Sequence, residues 1–146
     1  MNKIISNQYL QNIIKLAGII EIIIGLIHFV MPYFIYQINN FNLLPKNELV
    51  FILLCVLSVG ILLISLGIIT ILLAKQLDKI IDIMSIFIII QIILWIFRVT
   101  FEFIFPLNIN MFYIDPFTNI VLPGLIIELL LFIFSYILIK NYTINK

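Results

Sequence analysis

Polar positions are so rare along this chain that they stand out against four long apolar runs. The runs cover about Asn12–Tyr36, Glu48–Ala74, Ile80–Phe105 and Asn119–Ile139. At about 1.5 Å of rise per residue, ~20 apolar residues cross a ~30 Å hydrocarbon core, so each run predicts a membrane-spanning helix. The pattern predicts an all-α integral membrane four-helix bundle, antiparallel up-down-up-down, with residues 1–146 as one transmembrane domain. The short link Lys75-Gln-Leu-Asp-Lys79 makes the second and third helices antiparallel neighbours.

The third run carries the most informative exceptions. Gln91, Trp95, Arg98 and Glu102 follow a 4-3-4 spacing, which places all four on one helical stripe. Arg98 and Glu102, four apart, can pair within the helix. In the first run Gly18, Glu21, Gly25, His28 and Pro32 share a face, and Pro32 is expected to end or bend that helix. In the second, Gly60 and Gly67 offer an edge for close approach, beside a stripe of Cys55, Ser58 and Ser65, and Asn47 is the expected N-cap. In the fourth, Glu128 and Ser135 share a face, and Pro123-Gly124 falls near the start. Turn chemistry at Asn39-Asn40 and Pro45, and at Tyr113 and Asp115-Pro116, marks the two longer loops. The aromatic residues of 31–41 and 111–117 read as an interfacial belt.

Composition sharpens the class. Hydrophobic residues make up 64% and charged residues 10%, which excludes an ordinary soluble domain. Net charge is +1 with no basic run, so no nucleic-acid partner is expected. The single Cys55 excludes an intrachain disulfide and a cysteine-cluster metal site. The first apolar run is too long for a signal h-region, and no cleavable signal peptide is expected. Lys3, Lys15, Lys75, Lys79, Lys140 and Lys146 share one side of a four-span chain and only Lys46 lies on the other, so both termini are expected in the cytoplasm.

Depth then turns polar positions into candidate chemistry. Glu21 and Glu128 fall near mid-membrane, His28 and Arg98 in the outer half, and Glu102 near the outer boundary. An intramembrane arginine is costly unless paired; the candidates are Glu102 by spacing and Glu128 across the bundle. The Arg98–Glu102 pair reads either as a pin that fixes helix register or as a cation that binds an anion (carboxylate, phosphate or sulfate) or a ligand's head in an outward-opening cavity. Glu21 and Glu128 read either as buried protonated carboxyls hydrogen-bonded to a carbonyl, Ser58 or Ser65, or as proton acceptors, general acid/base groups or cation ligands. His28 is expected to bond a carboxylate, Glu102 or Glu128. Glu-x-x-His and His-x-x-x-His spacings are absent, so no metal site and no cofactor are expected.

Gly18-x-x-Glu21-x-x-x-Gly25-x-x-His28-x-x-x-Pro32, with Arg98-x-x-x-Glu102 before Pro106, resembles the DoxX-like group of small four-helix membrane proteins. Some members of that group look like subunits of membrane redox systems acting on quinones. The emopamil-binding-protein type of sterol isomerase is similar in using Glu, His and Trp in a lipid pocket, but its spacing does not match, and no catalytic assignment is carried from either.

The expectation is a polar intramembrane pocket for a small amphipathic molecule (quinone, sterol or lipid). Arg98, Glu102, Trp95 and Gln91 would bind it; Glu21, His28 and Glu128 are the candidates for proton transfer. The alternatives are a non-enzymatic accessory subunit that meets a membrane-protein partner or a second copy, and a small dimeric transporter.

Overall fold

A computed structural model describes residues 7–37, 44–104 and 121–144. They form four helices: α1 (Asn7–Gln37), α2 (Lys46–Lys75), α3 (Ile81–Ile104) and α4 (Val121–Ile144). All four are long and apolar enough to cross a membrane. Asn39-Asn40, Phe41, Pro106, Asp115-Pro116, Lys3 and Lys146 lie outside the described residues, as does the whole second aromatic belt of 111–117 with Tyr113.

The helix ends differ from the sequence expectation, and each difference has a local cause. Helix α1 starts at Asn7 rather than near Asn12, and it runs through Pro32 to Gln37 instead of ending there. Proline near a helix terminus removes one backbone bond without stopping the spiral when the following residues keep helical torsions. Helix α2 starts at Lys46, one residue before the expected cap Asn47. Its free N–H groups are met by the Pro45 carbonyl, which accepts from Glu48 at 3.0 Å and from Leu49 at 3.1 Å. Helix α4 continues past Ile139 to Ile144 and carries Pro123 in its first turn, where no bond is lost.

The described chain falls into two compact units, residues 18–72 and residues 1–17 with 73–146. The first unit joins the body of α1 to α2 along glycine. A Cβ at Gly67 would lie 2.5 Å from the Gly18 carbonyl oxygen, and one at Gly60 would lie 2.9 Å from that of Gly25. Numbering rises along α1 as it falls along α2 through these two contacts. Lipid tails are as apolar as leucine, so such helices gain little by burying aliphatic side chains; close backbone approach at small residues supplies van der Waals contact instead. Ser58, Ser65 and Cys55 on the neighbouring stripe are exposed.

In the second unit α3 packs on α4. The buried positions of α3 are Met84, Ile88, Gln91, Trp95 and Glu102. On α4 they are Leu125, Glu128, Phe132, Ser135, Leu138 and Ile139. Both sets recur every three or four residues, one face of each helix. The α2–α3 turn is held by short-range backbone bonds, such as Lys79 N–H to the Gln76 carbonyl at 2.9 Å, and plugged by fully buried Leu77.

Candidate functional site

Asp78, in the α2–α3 turn, gathers three distant parts of the chain at one end of the second unit. Its Oδ1 accepts from the Tyr142 hydroxyl at 2.9 Å, and its Oδ2 accepts from the Asn7 side-chain amide. The start of α1, this turn and the end of α4 therefore meet there. Sequence reasoning placed Asp78 only in a link.

The Asp78–Tyr142 bond also sets the register between α3 and α4. Counted from it at about 1.5 Å per residue, Gln91 and Glu128 both stand about 20 Å up, and Trp95 and Leu125 both about 25 Å. By the same count Arg98 stands about 30 Å and Glu102 about 36 Å from that end. Among the described residues of this unit Gln91, Glu128 and Ser135 are fully buried polar side chains.

The 4-3-4 stripe of α3 occupies its buried face. Gln91 is fully buried, Trp95 is 3% exposed and Glu102 2%. The ion pair expected from spacing forms: Arg98 Nη2 lies 2.8 Å from Glu102 Oε2, within the helix. A carboxylate this buried has lost most of its hydration, and the guanidinium replaces part of it. The second terminal nitrogen of Arg98, Nη1, is buried and has no hydrogen-bond partner among the described residues. The rest of the arginine reaches outward, leaving the side chain 33% exposed. Phe97, Phe101 and Phe103, on the other faces of α3, are exposed as lipid-facing rings are.

In the unit of residues 18–72, Glu21 is fully buried on the glycine face of α1. His28 is half-buried on the same face, its Cβ close to Gly60, and its Nδ1 lies 2.8 Å from the Ile24 carbonyl oxygen. With a carbonyl oxygen as its partner, Nδ1 is the donor of this bond. Nδ1 thus bonds within its own helix.

Five serine and threonine hydroxyls bond within their own helices. Ser58, Ser65, Thr70, Ser135 and Thr143 each donate to the carbonyl four residues back, at 2.7–2.9 Å. A hydroxyl with no water nearby meets its need inside its own helix this way. Ser58 and Ser65, the serines suggested for a buried carboxyl, are exposed and bonded in this manner.

Among the described residues no group of three or more His, Cys, Asp or Glu could hold a metal ion. No protein-family model matches the chain, and comparison with curated proteins and with solved structures gives no match.

Proposed function

We propose that this multi-pass membrane protein folds as an up-down-up-down four-helix bundle that binds a small amphipathic molecule on the polar stripe of α3. Arg98 holds the polar head, Glu102 fixes the arginine, and Trp95 and Gln91 wall the site. The observation that carries this reading is the arginine's buried Nη1, a charged donor with no partner among the described residues beside a nitrogen already held by Glu102. A buried donor left without an acceptor is costly, so an acceptor from a ligand stabilises it. Quinones, sterols and lipids are the molecules of the right character, and the DoxX-like resemblance fits a quinone. Glu128, in the same unit as Arg98, is the carboxyl that would exchange a proton with such a ligand.

The lysine bias supports cytoplasmic termini, and the gathering of Asn7, Asp78 and Tyr142 at one end supports placing both termini on one side. Membrane lipids cover the outward faces.

One observation favours a second reading. The 2.8 Å pair lies wholly within α3, as a structural pin in an accessory subunit would. Binding of labelled quinone and sterol to Arg98→Gln, Glu102→Gln and the double variant separates the two. Under the first reading Arg98→Gln folds yet loses binding, and the second change does not restore it. Unaltered binding in all three variants would remove Arg98 from the site.

A further inference from the structure

We infer that the Arg98 site selects a neutral head with a carbonyl or hydroxyl oxygen, and rejects a carboxylate or phosphate; this rests on the ligand site proposed above. The argument is charge balance. Arg98 and Glu102 sum to zero across a contact of 2.8 Å, and Glu102 is 2% exposed. A carboxylate or phosphate arriving at Nη1 would put a second anion beside one cation, next to a carboxylate that cannot turn to water. In a low-dielectric setting that repulsion is poorly screened. A neutral oxygen accepts the same charge-assisted hydrogen bond from Nη1 and adds no charge. An isolated arginine would favour anions, so the buried Glu102 is what reverses the preference. Glu102 is thus a specificity-determining residue that need not touch the ligand.

The chain has one tryptophan, and it lies one turn from Arg98 on the same stripe, so its fluorescence reports on this site alone. Quenching of Trp95 by a brominated fatty acid and by its methyl ester would be compared in detergent, at a pH where the acid is ionised. The Arg98→Gln/Glu102→Gln double variant in the same micelles corrects for partitioning. The ester should bind wild type roughly tenfold more tightly than the double variant, the worth of one hydrogen bond from a charged donor. The acid should gain nothing from Arg98 in wild type, and should overtake the ester in Glu102→Gln, where the arginine's charge is released. If Glu102→Gln does not fold, wild type against the double variant decides. Wild type favouring the acid overturns the inference while leaving a ligand site at Arg98. Equal quenching by both probes in wild type and the double variant overturns the site as well.

Discussion

The two units of this chain bring helices together by opposite means. Between α1 and α2 the contact is made by what is missing: glycine carbonyls sit where a Cβ would be, as at Gly18 and Gly67. Between α3 and α4 it is made by large and polar side chains, among them Gln91, Trp95, Phe132 and Glu128. In a hydrocarbon solvent neither contact has apolar burial to drive it, so one relies on dispersion at short range and the other on polar groups that lipid cannot satisfy. Added volume is what breaks the first, and unbalanced charge the second.

The largest effect should come from volume at the glycine edge. Gly67→Val would drive carbons into the Gly18 carbonyl and Ile22, and backbone cannot swing aside as a side-chain end can. A loss of about 3 kcal/mol is expected, read by reversible unfolding in mixed micelles. A stable Gly67→Val protein would show that the glycine edge carries no packing energy.

Charge at α3 comes next. Glu102→Gln should cost about 1–2 kcal/mol, less than a fully buried pair because Arg98 is partly exposed. Adding Arg98→Gln should recover much of that loss, since two neutral amides replace a stranded charge. Additive losses would break the contrast drawn here.

Tyr142→Phe tests the joint at Asp78 and should destabilise less than Glu102→Gln, because the bond it removes is exposed to water. Faster hydrogen exchange at the last turn of α4, with the Arg98 region unchanged, is the expected signature. Smallest is Gly124→Ala. Nothing lies within 4 Å of the added methyl, so the change should be neutral or stabilise by up to about 1 kcal/mol from helix propensity. A loss there comparable to Gly67→Val would mean glycine matters for backbone freedom rather than for space.

The contrast also explains what the sequence revealed. A polar residue in an apolar run is rare, so Gln91, Trp95, Arg98 and Glu102 declared their shared face by spacing alone, and the Arg98–Glu102 pair followed. The glycine edge was legible for the same reason. Helix ends were not, because long-range contacts set them: Asn7 and Tyr142 are 71 and 64 residues from Asp78, and no local pattern links them. The His28 Nδ1 contact had no signal in the sequence, because the carbonyl four residues back is offered by every helix.

The Asp78 joint has a consequence for how the chain is made. Its acceptor is synthesised midway, one donor belongs to the first helix and the other to the final turns of the fourth. The Asn7 arm can close once two helices have emerged, but the Tyr142 arm must wait until α4 is almost complete. Closing it joins points 64 residues apart, a late and entropically demanding step. A nascent chain halted before Tyr142 therefore holds α3 inserted but unlatched, its buried polar face still open to whatever quality-control factor reads such surfaces.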